Sequence, residues 1–379
     1  MKERYISKYL LKYADRKIIL LSGPRQVGKT TLAKSLIKDY SYYNYDSPKD
    51  FSIFLNNNWN LESELVIFDE LHKMNKWKLW LKGHFDDDLL KKQKVLVTGS
   101  AQLDLAKKVG DSLAGRYFSY RLNPLDLKEL KGYDKVENNY QNLISYSGFP
   151  EPFFEKDAYF YDKWRRTHAD IILRQDLMSV ENIKDIQSIE ILIELLSERI
   201  GSTISVNSLA EDLSKDEKTI KKWIQSLENL YIIFKVSPYS KNISRSIKKA
   251  SKYYFYDSAR VSGDESQKLE NLVALSLKKE IEYQTDFFGK NHRLYFAKLK
   301  DQKEIDFLIT NDKKVTSLIE VKLSNVSVSE NFKHFDKFFK DVNKIQLVKN
   351  MSRSFSNKES VLVTPALDYL ENLNLDESN

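Results

Sequence analysis

The chain has 379 residues, which is too long for one ordinary core and suggests about two or three domains. It has no cysteine, which excludes disulfides and thiolate zinc sites, and no apolar run that could span a bilayer, so we expect a cytoplasmic protein without a membrane partner. With 61 Lys and Arg against 54 Asp and Glu, the net charge of +7 is compatible with a polyanionic partner.

The N-terminal segment has the apolar spacing of a helix. Tyr5, Ile6, Tyr9, Leu10 and Tyr13 would share one helical face. We therefore predict an amphipathic helix that packs beside the domain that follows.

A phosphate-binding motif comes next. Residues 18–21 form a short apolar run typical of a buried strand, and residues 30–37 have helical apolar spacing. Between them the pattern G-x-x-x-x-G-K-[ST] lies where it should, joining a strand to a helix N-terminus whose N–H groups attract an anion. The predicted phosphate cradle consists of Gly23, Pro24, Arg25, Gln26, Val27, Gly28, Lys29, Thr30 and Thr31.

Two residues of this motif receive specific roles. Lys29 would reach the β- and γ-phosphates of a bound nucleotide, and Thr30 would hold Mg²⁺ through its hydroxyl, since hard cations prefer oxygen ligands. A chance match to the pattern is the alternative.

Two further apolar runs, residues 65–70 and 95–100, also read as strands. Strands alternating with helices predict a parallel sheet whose ligands gather at the carboxyl ends of the strands. There Asp69 would bind Mg²⁺ through a water, and Glu70 would activate the attacking water as general base. An acidic helix cap is the alternative. Thr98 or Ser100 would sense the γ-phosphate by hydrogen bonding.

One arginine is a candidate for the positive charge that phosphoryl transfer requires. Arg116 follows Gly115 outside the phosphate cradle and would act within its own subunit or in a neighbouring one. A surface ion pair is the alternative role, and Arg121 is the competing candidate.

The middle of the chain is predicted to be helical. Residues 159–181 and 185–200 read as long helices, the second closed by Gly201. Two short apolar faces around a turn at 214–216, then a strand at 231–236, are typical of a helix-turn-helix with a wing. The basic residues assigned to the second helix and the wing loop are Lys218, Lys221, Lys222, Lys241, Arg245, Lys248, Lys249 and Lys252. They would contact DNA phosphates, or else remain solvated on a packing module.

The last domain combines a helix, residues 269–277, with strands at 292–296, 304–309 and 317–323, while residues 352–360 read as a loop. Glu270 on the helix, Asp306 on one strand, and Glu320 and Lys322 on the next resemble the site of the restriction-endonuclease-like fold. Asp306 and Glu320 would hold Mg²⁺, and Lys322 would orient a water. Solvated or ion-paired carboxylates are the alternative, and Ile305 departs from the proline common at that place.

Six motifs in this order carry a family resemblance: GPRQVGKTT at 23–31, FDELHK at 68–73, TGS at 98–100, SLAGR at 112–116, LNPL at 122–125 and SGFPEP at 147–152. The chain resembles the AAA-type ATPases of archaea and bacteria that carry a winged helix and a C-terminal domain of unassigned function. The resemblance implies binding and hydrolysis of ATP, with residues 159–200 as lid helices. His72 departs from it, because glutamine is expected there.

The predicted fold class is α/β: a P-loop AAA-type parallel sheet (1–132), a helical lid (133–200), a winged helix (201–250) and a restriction-endonuclease-like α/β domain (251–379). The function predicted is an ATP- and Mg²⁺-dependent switch acting on nucleic acid, with DNA and further copies of the chain as possible partners. The alternative is a nucleotide-dependent protein-interaction module with a catalytically inert last domain.

Overall fold

The computed structural model describes residues 3–87, 93–100, 103, 113–177, 185–240, 250–299, 301, 303–324 and 326–375. The chain divides into two compact units, one running to Pro124 with Asn229–Tyr231 added, the other comprising Leu125–Glu228 and the residues from Ile232 onward. Within the described ranges, no helix has the length and apolar character needed to cross a membrane. The division into four domains stays a prediction.

The first unit is built on a parallel sheet. Its strands are β1 Ile18–Ser22, β2 Tyr40–Asn44, β3 Leu65–Asp69, β4 Lys94–Thr98 and β5 Tyr117–Arg121. Its helices are α1 Ser7–Leu10, α2 Lys29–Ser35, α3 Pro48–Asn56 and α4 Trp77–Asp86, with a 3-10 turn at Leu71–Lys73. The strand order is β2-β3-β4-β1-β5, and every neighbouring pair is parallel. The α/β fold class is confirmed, and β1, β3 and β4 end at one edge of the sheet.

The N-terminal helix is shorter than the apolar pattern predicts. Ile6 and Leu10 are buried as expected, but α1 ends at Leu10 and Tyr13 is 41% exposed. Beyond α1 the backbone continues in turns, for example from Lys12 N–H to the Tyr9 carbonyl. A helix this short gains little stability from its own hydrogen bonds. The packing of Ile6 and Leu10 therefore decides where it forms.

The second unit begins with helices α5 Leu127–Leu130, α6 Val136–Tyr146, α7 Pro150–Glu155, α8 Ala158–Asp170 and α9 Ile186–Ser197. A π-helical segment, Ile171–Leu177, extends α8. The two long helices predicted in this region are therefore confirmed over the described residues, while residues 178–184 lie outside them.

A helix-turn-helix pattern follows, made of α10 Val206–Asp212 and α11 Glu217–Asn229. The predicted apolar face of α11 is buried, and β6 Ile233–Pro238 then pairs antiparallel with β7 Lys252–Phe255. The assignment of Lys252 to an exposed basic loop is wrong, because Lys252 lies in β7 with a side chain only 1% exposed. The other predicted loop residues, Lys241, Arg245, Lys248 and Lys249, lie outside the described residues.

The last strands extend this sheet. They are β8 His292–Lys298, β9 Glu304–Asn311, β10 Lys314–Lys322, β11 Asn343–Val348, β12 Phe355–Ser356 and β13 Val361–Pro365. The helices are α12 Glu265–Phe288, α13 Asn331–Asp336 and α14 Ala366–Glu371. After α12 come three antiparallel strands, then α13 and a strand parallel to β10. The predicted loop at 352–360 contains β12.

Candidate nucleotide site and the C-terminal carboxylate cluster

The loop between β1 and α2 requires glycine at two positions. Gly23 has a φ of 148°, and a Cβ there would lie 2.2 Å from the carbonyl oxygen of Leu122. Gly28, directly before α2, has a φ of 95°. Both backbone conformations are costly for a residue with a side chain. The two glycines of the sequence motif therefore allow this loop its conformation.

Two basic side chains, Lys29 and Arg4, donate hydrogen bonds to the backbone of this loop. The Lys29 side chain is buried, and its Nζ donates to the carbonyl oxygens of Gly23 at 3.0 Å and Pro24 at 2.6 Å. From the N-terminal segment, Arg4 donates to the carbonyl oxygens of Val27, at 3.1 Å, and Asn123. Sequence reasoning missed Arg4, because a single arginine ahead of the motif carries no pattern that points to the loop.

The Asp69 carboxylate is the centre of the polar contacts at the carboxyl edge of the sheet. Its Oδ2 accepts the Thr30 hydroxyl at 2.8 Å and the Tyr42 hydroxyl at 2.8 Å, and its Oδ1 accepts the Thr98 hydroxyl. Burial and the negative charge of Asp69 raise the pKa of Tyr42. Tyr42 was not predicted to belong to the site, although residues 42–46 alternate in the sequence as a strand does, and Tyr42 lies in β2.

Glu70 leaves the strand in an unusual conformation. Its φ is 54°, in the left-handed region, which is uncommon for a residue with a side chain and is often found at functional sites. Its Oε2 lies 3.5 Å from Lys73 Nζ and has no hydrogen-bond partner within the described residues. Burial raises the pKa of Glu70, Lys73 lowers it, and Asp69 raises it further. The carboxylate is therefore held close to a cation without being fully satisfied.

The two hydroxyls at the end of β4 differ in their surroundings. Thr98 is bonded to Asp69, whereas the Ser100 side chain is 1% exposed and its Oγ has no hydrogen-bond partner among the residues described. A buried hydroxyl in that state is uncommon in proteins. The Ser100 hydroxyl is therefore better placed than the Thr98 hydroxyl to donate a hydrogen bond to an oxygen atom of a ligand. His72, the departure noted above, packs against Gly99, where an added Cβ would lie 2.6 Å from its Nδ1.

The two candidate arginines lie at opposite ends of the same strand, β5. Arg116 precedes β5, whose first residue, Tyr117, pairs with Ile18 at the start of β1. Arg121 pairs with Ser22, directly before the phosphate loop. The five-residue length of β5 separates the two arginine positions by roughly 15 Å. Arg116 also holds Asp86 through two hydrogen bonds of 2.7 and 3.0 Å.

In the second unit, the predicted nuclease-like residues lie around a lysine. Lys252 Nζ lies 2.6 Å from Glu304 Oε1, 3.3 Å from Glu270 Oε1 and 3.9 Å from Asp306 Oδ1. Lys322 Nζ lies 3.1 Å from Glu320 Oε1. We call Glu270, Glu304, Asp306 and Glu320 the carboxylate cluster. The structure brings the four predicted residues together, and it adds Lys252 and Glu304, which sequence reasoning did not place there.

The carboxylates of this cluster also accept hydrogen bonds from groups other than lysine. Glu320 Oε1 accepts from Ser329 Oγ at 3.1 Å and Asn331 Nδ2 at 2.9 Å, and Asp306 Oδ2 accepts from Val321 N–H at 2.8 Å. Burial, with Glu320 and Glu270 adding to it, raises the pKa of Asp306 well above its ordinary value. Within the described part of the chain, no group of three or more histidine, aspartate and glutamate side chains is arranged to hold a metal ion. Metal binding by Asp306 and Glu320 stays a prediction.

A parallel sheet with a glycine-rich loop between its first strand and a helix defines a P-loop nucleotide-binding domain. Residues 15–131 match the family described as an AAA domain, so the chain carries a domain of the AAA-type ATPase family. Residues 137–262 and 266–369 match two families that are each described as a domain of unknown function. The recognition of the AAA-type family is confirmed.

Similar whole chains come from an archaeon and a bacterium. An uncharacterised protein of Methanocaldococcus jannaschii is 26% identical over 372 residues, covering 88% of this chain and 81% of its own. One of Haemophilus influenzae is 22% identical, covering 90% and 92%. Among solved structures, the RuvB Holliday junction branch migration motor of Thermotoga maritima is 18% identical with a TM-score of 0.31, over 61% of this chain and 87% of its own. The Aeropyrum pernix ORC1 protein in complex with DNA is 12% identical with a TM-score of 0.33, over 71% and 90%.

Proposed function

We propose that this chain is an ATP-hydrolysing switch that acts on nucleic acid. The observation that carries the ATPase proposal is the buried Asp69 carboxylate, bonded to Thr30 of the phosphate loop and followed directly by Glu70. This arrangement brings three parts together at the carboxyl ends of the strands: a phosphate-binding loop, two oxygen ligands for a cation, and a candidate base.

The phosphate loop supplies the binding energy for the nucleotide. Lys29 donates to two neutral carbonyl oxygens, and the phosphates of ATP are charged acceptors that would compete well for the same donors. The Thr30 hydroxyl and the Asp69 carboxylate are hard oxygen ligands 2.8 Å apart, a donor set that suits Mg²⁺. Bound Mg²⁺ would neutralise charge on the phosphates.

Glu70 and Ser100 are proposed to act on the reacting end of the nucleotide. Glu70, whose pKa is raised by burial, would accept a proton from the attacking water through a carboxylate oxygen. The Ser100 hydroxyl would bond to the γ-phosphate. Both roles agree with oxygen atoms that have no hydrogen-bond partner among the described residues.

The arginine role is proposed to involve a neighbouring subunit. Because Arg116 lies at the amino ends of the strands and the phosphate loop follows the carboxyl end of β1, Arg116 does not reach the nucleotide bound by its own chain. A second copy of the chain would have to present it, as in enzymes that receive an arginine in trans. Arg121, beside the loop, is the candidate within one subunit.

The nucleic-acid part of the proposal rests on α11. Its apolar face is buried, while Lys218, Lys221 and Lys222 are exposed on the second helix of the helix-turn-helix. Lys221 forms an ion pair with Glu217, with 2.7 Å between Nζ and Oε2. Lysines in this position would contact DNA phosphates and would position the protein without reading sequence.

A filter-binding experiment with duplex DNA over a salt series tests this part. Replacing Lys218, Lys221 and Lys222 together with alanine should flatten the salt dependence by about three units of slope, because each phosphate contact contributes about one. Replacing Lys314, Lys337 and Lys340 removes the same charge from exposed sites elsewhere and should change the slope less. Absence of salt-dependent binding by the parental protein would instead favour the protein-interaction module.

A further inference from the structure

The carboxylate cluster of the second unit already contains a cation. Lys252 reaches it from β7, and the side chain of Lys252 is 1% exposed. A buried ammonium is costly unless it is paired, and here Glu270, Glu304 and Asp306 face it. The position at which three carboxylates converge is therefore occupied by a side chain of the protein itself.

The same oxygen atoms would be needed by a metal ion. A divalent cation binds carboxylate oxygens at about 2.0–2.6 Å. Glu270 Oε1 also accepts the Tyr254 hydroxyl at 2.7 Å, and Glu304 Oε2 lies 3.4 Å from Lys298 Nζ. A metal would have to displace Lys252 and would then leave an uncompensated buried ammonium beside it.

Glu320, on the other side of the cluster, is similarly engaged. Its Oε1 receives Lys322, Ser329 and Asn331, and its Oε2 lies 3.4 Å from the backbone nitrogen of Asp306. The oxygen atoms of these carboxylates therefore act as acceptors in a closed network. Such a network stabilises a buried polar region when each member is satisfied.

We infer that Lys252 is the resident cation of the carboxylate cluster, which therefore folds without a divalent metal and excludes one. This inference goes beyond the proposed ATPase function and does not depend on it. It explains how a domain with nuclease-like residues keeps its carboxylates together, and it assigns those residues a structural role.

The test is a Mn²⁺ titration followed by electron paramagnetic resonance on the full chain without nucleotide. Asp69→Asn is present in every sample to weaken metal binding in the nucleotide site. The parental protein in this background should bind no Mn²⁺ at the cluster. Lys252→Met should gain one bound Mn²⁺, and Asp306→Asn added to it should remove the gain. Lys278→Met, which removes a lysine paired with Glu282 on α12, should gain none.

Two results would overturn the inference. One is Mn²⁺ binding by the Lys252-containing protein that Asp306→Asn abolishes, and the other is a folded Lys252→Met protein that gains no site. If Lys252→Met does not fold, thermal unfolding of the Lys252-containing protein decides. No shift with Mn²⁺ supports the inference, and a shift that Asp306→Asn abolishes contradicts it.

Discussion

The nucleotide site and the carboxylate cluster contain the same residue types, but their polar atoms differ in how completely they are hydrogen-bonded. In the nucleotide site, Lys29 donates to backbone carbonyls, and Glu70 Oε2 and Ser100 Oγ have no hydrogen-bond partner among the described residues. In the carboxylate cluster, Lys252 lies among carboxylates whose other oxygens accept further donors. The presence of lysine beside aspartate and glutamate therefore does not by itself mark a ligand site.

The difference follows from the free energy of exchanging partners. A hydrogen bond between an ammonium and a neutral carbonyl is readily replaced by a stronger bond to a phosphate oxygen. Breaking a buried ion pair costs about 3–5 kcal/mol, because one charge is left uncompensated. A ligand can thus displace the contacts of Lys29 but not those of Lys252.

A large loss of turnover is expected from Arg116→Ala. A transition-state arginine contributes about 10³-fold or more to phosphoryl transfer, so turnover should fall by about that factor with ATP binding retained. Because Arg116 is predicted to act across a subunit boundary, mixing this variant with Glu70→Gln protein should restore part of the activity. Arg121→Ala is the matched control. A large loss there, with Arg116→Ala close to parental, would assign the role to Arg121.

A smaller effect is expected from Lys29→Ala. Charge-assisted hydrogen bonds contribute up to about 3 kcal/mol, so ATP affinity should fall by about two orders of magnitude. Isothermal titration with ATP and Mg²⁺ measures the change. Lys34→Ala, on the same helix, serves as control because Lys34 lies over the Tyr42 ring, outside the loop. Equal affinities for the Lys29→Ala and parental proteins would contradict the assigned role.

The smallest effect is a shift in pH dependence. Burial raises the pKa of Glu70 above its ordinary value of 4.5, and a base must be ionised to act, so kcat/KM should fall as pH decreases through the raised pKa. Lys73 lowers that pKa, and Lys73→Met should therefore move the acidic limb to higher pH. A limb that stays in place, measured at constant ionic strength, would show that Glu70 does not control it.

The sequence predicted the elements that have a local signature. The phosphate loop, β3 with Asp69 and Glu70, and the buried face of α11 follow from glycine positions and apolar periodicity, and the structure contains them. Contacts between distant segments left no such signature. Arg4 on the phosphate loop, Tyr42 on Asp69 and Lys252 among the carboxylates depend on how the chain returns to itself.

Lys252 shows the limit most clearly. It follows a run of basic residues, and local composition therefore predicted a solvated loop, whereas strand pairing with β6 carries it into the interior. Its three carboxylate neighbours lie 18, 52 and 54 positions further along the chain, as their numbers show. A single sequence contains no spacing rule over such distances.

ATP turnover by Glu70→Gln protein tests the central claim most directly. The variant keeps the shape of the side chain and removes the carboxylate, so ATP binding should persist while single-turnover hydrolysis falls by about 10²–10⁴-fold, the contribution of a general base. Retained nucleotide and the cleaved product are measured on the same sample, beside parental protein prepared identically. Hydrolysis by Glu70→Gln at the parental rate would contradict the account of this site.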